Sequence, residues 1–486
     1  MNKKQIFYLF LIVHAVLWTL ISLLRNNISY DSMEAVVWGE LISFGTNKHP
    51  PLSGWIASAF YNLCGQLDFI LYIVGQLFIV TGFVYVYKIA KFFLDEEKAF
   101  CASMILEACS YYTWMVFVDT FNCNILLMAL CPMMIYYFYK AVKENRIKDW
   151  LLFGITAGLS FLGKYQCVFI YFAMAMYLLV CQREQFKRKG MYISIAAGLA
   201  VILPHVIWLF QNDFFSFAYM LERTHSETHN LPVILVKLSH LFYPVKFVLS
   251  QLLSLIGCFV VYAILALKSG GMKIGNKTGD RDDKLFLLIV GIVPVVIHGI
   301  MGLITGSRVP GIWGSIMVSL TGIMLFYFFP VKFNKDSFSF FTKLVYASMA
   351  VFLVICAIYI NLQTKFILAF PHKQIIPDME RIWSENTNNA PLKYTSGYIN
   401  FWFRIYDSNH PTAILDTFGH ENPWISQEDI AKNGVLVFDR SAESVVMQSA
   451  QLLPGYKITP QEYQYKLCNK MGKCKSKSFY YGIIFE

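Results

Sequence analysis

Charged residues are scarce in this sequence. Asp, Glu, Lys and Arg make up 15% of its 486 residues, whereas a soluble globular protein carries about 25%. A soluble chain of this length needs more water-facing surface, so composition excludes the roughly three soluble domains that length alone suggests. Disorder, collagen-like repeats and small disulfide scaffolds fall with them. Short catalytic signatures are missing as well: the sequence has no HExxH, no CxxC and no GxSxG. Gly270 to Thr278 has some likeness to a phosphate-binding loop, but Asn276 stands where such a loop needs Lys, and no strand precedes it. It reads as a solvated loop.

Apolar residues are abundant instead, at 56%, with a mean hydropathy of +0.49. A helix crosses a bilayer with about 20 mostly apolar residues. Such stretches lie near 5–24, 68–87, 99–118, 122–139, 150–164, 166–181, 191–210, 246–267, 285–305, 312–330 and 344–362. The expected architecture is an all-α polytopic membrane protein of roughly eleven spans. The first stretch has no small-residue cleavage site after it and reads as a retained span. Pro51 to Gly65 is too short to span comfortably and reads as an interfacial or re-entrant helix.

Basic residues set the orientation, because loops rich in Lys and Arg stay cytoplasmic. Loops on the N-terminal side hold 21 of them and the opposite loops 7. The N-terminus is therefore expected inside and everything beyond the last span outside. The net charge of +10 is then a topology signal and calls for no nucleic acid. The predicted division is a membrane domain over 1–362, with outer loops 25–67 and 211–245, and an outer domain over 363–486. That tail alternates short β-rich and helical runs, as a small α/β domain does. Most of the 11 cysteines fall in spans; Cys468 and Cys474 lie in the tail, where an oxidising compartment would let them pair.

The first outer loop carries the most chemistry. Asp31 and Glu34 stand three apart, so a helix puts both carboxylates on one face. Lys48 and His49 follow, just before Pro50-Pro51, which fix the backbone as the next helix begins. A carboxylate facing cations at a membrane surface suits a reaction between a hydroxyl and a lipid phosphate: one takes the proton, the others hold the leaving group. Glu107 is an acid inside a span and so a candidate by default. The Glu222-Arg223 pair reads as a surface ion pair. His225, Glu227 and His229 look metal-like in a line but sit in a polar loop, and no metal site is expected.

The run Asp31-x-x-Glu34-Ala35-x-x-Trp38-Gly39, followed by Lys48-His49-Pro50-Pro51-Leu52, resembles the first periplasmic loop of bacterial GT-C integral-membrane glycosyltransferases. The resemblance is to the glycosyltransferase family 39 group, which is similar to the lipid A aminoarabinose transferase and protein O-mannosyltransferases. Leu106-Glu107 with Tyr111-Tyr112, Phe121-Asn122-Cys123-Asn124, Gly163-Lys164-Tyr165 and Pro204-His205 with Trp208-Leu209 resemble further segments of that group, in order. So do Arg308 with Trp313-Gly314, and Asn422-Pro423-Trp424-Ile425 in the tail.

The resemblance implies a GT-C fold with a C-terminal periplasmic α/β domain in a bacterial inner membrane. It implies an inverting glycosyltransferase that moves a sugar from a polyprenyl-phosphate donor to a lipid, glycan or protein acceptor. Asp31 would be the catalytic carboxylate, with Glu34 beside it. Lys48, His49, Lys164 and Arg308 would bind the donor phosphate. Asp119, Asn122, Tyr165 and Glu107 are further candidates. Cys123 departs from the His expected at its position, and Lys48 from a slot often acidic. With cations on the phosphate no cofactor is required, although a divalent cation is compatible. The alternatives are a polytopic transporter or lipid flippase, which would place polar groups at mid-membrane, and a catalytically inactive relative. Every matched site except Glu107 falls on the outer face or at its boundary.

Overall fold

A computed structural model describes residues 2–219, 233–272, 280–364, 369–415 and 425–485. Glu222, Arg223, His225, Glu227, His229 and the Asn422-Pro423-Trp424 motif lie outside the described residues. The protein is a mostly helical, polytopic membrane protein with a small C-terminal sheet. Among the described residues, seven helices are long and apolar enough to span a bilayer, and a bent pair, Gly311–Met317 with Thr321–Phe328, makes an eighth.

All eleven apolar stretches are helical in whole or part, and four of them are short or broken, the bent pair among them. The stretch near 99–118 divides into Glu96–Met104, a tight turn over Ile105–Ala108, and Trp114–Asp119. Asp95 caps its start, accepting the Lys98 N–H. At Ala108 the long helix Val233–Lys268 comes so close that a Cβ on Gly257 would meet the Ala108 carbonyl at 2.2 Å. The helices Ile147–Gly163 and Val168–Cys181 have 17 and 14 residues. The 12-residue helix Leu52–Leu63 is the segment read as interfacial.

Packing divides the chain into two compact units. One comprises Met1–Ser22, Ser43–Ser53 and Tyr72–Cys356, the other Leu23–Ile42, Gly54–Leu71 and Ala357–Glu486. In the first unit, Gly154 and Gly158 let the helix Ile147–Gly163 lie against Lys189–Gln211. A Cβ on Gly154 would meet the Ser194 carbonyl at 2.2 Å, the close approach that small residues permit between membrane helices. Large apolar side chains such as Leu199, Leu203, Leu253 and Ile256 remain exposed, as lipid-facing residues must.

The second unit holds a five-stranded sheet in the order β2-β1-β3-β5-β4. Its strands are β1 (Tyr394–Gly397), β2 (Thr412–Ile414), β3 (Val435–Asp439), β4 (Gln461–Cys468) and β5 (Cys474–Ile484). The first three are parallel; β5 runs antiparallel to β3, and β4 antiparallel to β5. Ile414, Ile430, Val435, Val437, Val445, Leu452 and Ile484 form its core. Cys468 and Cys474 face each other across β4 and β5 and are disulfide-bonded.

Candidate functional site

The loop that carries Lys48 and His49 is held by one hydroxyl. Thr46 Oγ1 accepts the N–H groups of Lys48 and His49, at 3.2 and 3.0 Å, and donates to the His49 carbonyl at 3.0 Å. The backbone N–H of Thr46 donates to the same carbonyl. One side of the loop rests on the helix Lys189–Gln211. His205 Nδ1 donates to the Phe44 carbonyl at 2.6 Å, and that bond fixes the tautomer. His205 Nε2 must then accept, and it does so from the Tyr165 hydroxyl at 2.8 Å. Gly45 lies on the Trp208 ring, where a Cβ would come within 2.3 Å. The Pro-His-x-x-Trp motif of the sequence is therefore the bed on which this loop lies.

Lys164 follows the helix Ile147–Gly163 and is buried, with 7% of its surface exposed. Its ammonium donates to Asn124 Oδ1 at 2.8 Å and lies 5.5 Å from the Trp313 ring. Both partners are neutral. Asn124 is placed by Asn122, whose side chain caps the helix Cys123–Glu144 by accepting the N–H groups of Asn124 and Ile125.

Trp313 and Arg308 come from the turn after the helix Arg281–Thr305. Gly306 closes that helix in the left-handed conformation, φ 63°, where a residue with a Cβ is disfavoured. The turn is then pinned by the Gly311 carbonyl, which accepts from Tyr111 at 2.7 Å and from Gln251 at 3.0 Å.

These parts enclose a cavity of about 310 Å³ within the first unit. Lys48, His49, Lys164, Tyr165 and Arg308 line it, with Trp313, Phe169, Phe217 and Tyr219 as aromatic walls. Four phosphate-site candidates of the sequence are thus brought together, with Tyr165 beside them. No Asp or Glu is among its described lining residues. Burial and the nearby Lys164 and Lys48 charges hold the pKa of His49 well below its usual value. His49 is therefore a neutral hydrogen-bonding ring at neutral pH, where the sequence reading counted it as a cation. Lys48, over the Tyr219 ring at 5.7 Å, and the exposed Arg308 complete a cationic set.

The remaining candidates stand elsewhere. Asp31 and Glu34 belong to the second unit, on the helix Tyr30–Glu40 that Ser29 caps. They lie one turn apart as expected, Asp31 exposed and Glu34 buried. Asp119 ends the helix Trp114–Asp119 and accepts from Asn122 at 3.3 Å. Glu107 is fully buried in the helix bundle, bound by His14 Nδ1 at 2.5 Å and Trp18 Nε1 at 2.9 Å. None of these four lines the cavity.

The lining residues His298 and Gln166 escaped the sequence reading, as did Thr46. His298 is fully buried on the helix Arg281–Thr305, against Phe169 and Phe247 at 4.2 and 5.0 Å. Among the described residues neither of its ring nitrogens has a hydrogen-bond partner, nor has the buried amide of Gln166. A histidine inside a span is itself a signal, and it was available. Thr46 carried none, since its role lies wholly in the fold of its loop.

Known proteins bear on this arrangement in two ways. Residues 48–208, the stretch with Lys48, His49 and Lys164, match the family model for dolichyl-phosphate-mannose-protein mannosyltransferase. The lipid A galacturonosyltransferase RgtD of Rhizobium johnstonii is 21% identical over 209 residues, 42% of this chain and 44% of that protein. The lipopolysaccharide core galacturonosyltransferase RgtA of the same organism is 20% identical over 192 residues, 38% of each chain. The chain thus spans less than half the length of these curated relatives. Among solved structures, ArnT from Cupriavidus metallidurans bound to undecaprenyl phosphate superposes with a TM-score of 0.61, at 12% identity, over 99% of this chain and 98% of that one. Its apo form gives 0.59 at 11% identity, over 98% and 97%. The resemblance to GT-C glycosyltransferases of the family 39 group holds in sequence over the matched segment and in fold over the whole chain.

Proposed function

We propose that this protein is an inverting glycosyltransferase that takes a sugar from a polyprenyl phosphate and places it on a lipid, glycan or protein acceptor. The single observation behind the reading is the Lys164 ammonium: buried and, among the described residues, held by the neutral Asn124 and Trp313. A buried charge without a counterion is costly, and an anion entering the cavity removes that cost. Aromatic and aliphatic walls beside the cations suit a phosphate that carries an apolar chain.

In the proposed reaction, Asp31 takes the acceptor's hydroxyl proton as the oxygen attacks the anomeric carbon. The bond from that carbon to the phosphate oxygen breaks, and polyprenyl phosphate leaves with the electron pair. Lys48, Lys164 and Arg308 stabilise the charge that grows on it, while neutral His49 donates a hydrogen bond. Those cations can take the place of a divalent ion, so no metal or other cofactor is required. The site faces the periplasm from the inner membrane, with the C-terminal domain on the same side. The transferred unit is a hexosyl or pentosyl group. A galacturonosyl donor heads the panel to be tried, since RgtD and RgtA carry that activity in their names.

The test gives purified wild type, Lys164→Met and Asp31→Asn a panel of radiolabelled undecaprenyl-phosphate sugars with a membrane lipid extract, with and without chelator. Wild type transfers sugar whether or not chelator is present. Lys164→Met loses about 100-fold or more in kcat/KM, and Asp31→Asn loses turnover at unchanged stability. Full activity in Lys164→Met would overturn the phosphate site. Activity retained in Asp31→Asn would move the base to Glu34 or Asp119. No transfer by wild type across the panel would favour a transporter or an inactive relative.

A further inference from the structure

The β4–β5 hairpin ends in a basic tip. From Tyr463 to Ser478 the sequence holds Lys466, Lys470, Lys473, Lys475 and Lys477 and no acidic residue. All five lysines are exposed, and among the described residues none forms a salt bridge. The Cys468–Cys474 disulfide closes the tip. Asn469 organises the turn: its Oδ1 accepts the N–H groups of Met471 and Lys473, at 3.1 and 2.9 Å. At the apex stands Met471, a large apolar side chain that is 71% exposed.

Two hydrogen bonds within the second unit say where this tip lies. Asn469 Nδ2 donates to the carbonyl of Leu362 at 3.1 Å, and Lys470 Nζ donates to the carbonyl of Leu24 at 2.7 Å. Leu362 is the last residue of the last apolar helix, and Leu24 comes two residues after the first one ends. Carbonyls at a helix C-terminus have no partner within the helix, and a cation there complements the dipole. The tip thus binds backbone carbonyls at the chain positions where the last apolar helix ends and just after the first one does. Leu23, Leu24 and Leu362 are exposed around it.

We propose that the hairpin tip is a membrane-surface contact that binds the acidic headgroups of phospholipids in the leaflet facing the C-terminal domain. Charge complementarity names the occupant. Lysines at a bilayer surface are attracted to anionic headgroups within a Debye length, and Met471 is placed to enter the acyl boundary between them. The disulfide and Asn469 hold the turn in shape, so little conformational freedom is lost on contact.

Peroxide oxidation of Met471 reads out the contact, because the reagent is uncharged and is not concentrated by lipid charge. Met447, exposed on the helix Ala442–Leu452 of the same unit, serves as internal reference. Full-length protein is placed in nanodiscs of phosphatidylcholine, or of phosphatidylcholine with phosphatidylglycerol, and sulfoxide is followed by mass spectrometry. The expected result is Met471 oxidation about fivefold slower, relative to Met447, in the anionic discs. That protection disappears at high salt, and in a variant with Lys466, Lys473, Lys475 and Lys477 all changed to Gln. Equal oxidation in the two lipids would overturn the proposal. Protection that survives both salt and the lysine substitutions would overturn it too, leaving only apolar insertion of Met471. The salt arm uses wild type alone, so the test does not depend on the variant's folding.

Discussion

Thr46 is a small residue with a large share in the site. Its hydroxyl holds three backbone groups of the Lys48–His49 turn, each such bond contributing about 1 kcal/mol net. Thr46→Val keeps the shape and removes all three. Its expected effect is a roughly tenfold rise in donor KM with little change in kcat, because positioning and not chemistry is lost. Steady-state kinetics on a donor series checks this; a drop confined to kcat would place Thr46 differently. At the same scale His14, Trp18 and Glu107 illustrate how an acid in a span is used structurally. Both oxygens of the carboxylate are bound, and the group is fully buried away from the cavity. Inside a membrane an acid is either functional or paired, and only side-chain contacts distinguish the two.

Helices and strands show how the loops around Asp31 are tied down. In the second unit Arg404, on the helix Asn400–Tyr406, forms two hydrogen bonds to the Glu40 carboxylate, at 2.9 and 2.5 Å. Tyr30 packs on Phe401 and Trp402, and Ile28 N–H donates to Tyr406. The helix Tyr30–Glu40 is thereby joined to the tail at both ends. Arg404→Ala leaves a partly buried carboxylate unpaired, an expected loss of about 3 kcal/mol. Faster amide exchange over residues 30–40 is the measurement, with the sheet's exchange little altered.

A second element-scale expectation concerns Glu380 on the helix His372–Asn386. Burial, and the Asp407 carboxylate against it, push its pKa from an ordinary 4.5 up to about 7. Between those two values the native state binds more protons than the unfolded one, so stability falls as pH rises through this window and levels off above it. Exchange protection of this helix should therefore be higher at pH 5 than at pH 8. Glu380→Gln should flatten the profile; an unchanged slope would exclude Glu380 as its source.

At the scale of the whole molecule, charge and hydropathy predict topology. The 21-to-7 distribution of Lys and Arg predicts a cytoplasmic N-terminus, with residues beyond Leu362 outside. A periplasm-dependent reporter fused after Phe485 should be active, and one fused in the loop around Arg183 to Lys189 inactive. The reverse pattern would invert the orientation and, with it, the face proposed for the site. The Cys468–Cys474 bridge agrees with an oxidising side.

Much of this architecture was legible in the sequence, because a bilayer imposes simple constraints. Span length, apolar content and loop charge each act residue by residue along the chain, so all eleven stretches prove helical in whole or part. In the tail, the short β-rich runs at 392–395, 412–415, 435–438 and 479–485 fall on β1, β2, β3 and the end of β5. The edge strand β4 did not register, although Tyr463, Tyr465 and Leu467 alternate with Glu462, Gln464 and Lys466 as in a half-buried strand; that signal was available. The pairing of Lys48, His49 and Lys164 with Arg308 was suggested by ordered motifs, but their meeting in one cavity was not a property of any segment. It depends on Gly306 ending a helix, on Asn122 capping another, and on Gly45 lying flat on Trp208. The neutrality of His49, the burial of Lys164 beside neutral Asn124 and Trp313, and the place of His298 arise in the same way. A side chain's charge state and partners are set by what surrounds it in three dimensions. What the sequence determined by itself was where the chain meets lipid and water; which polar groups share a buried space was decided by tertiary packing alone.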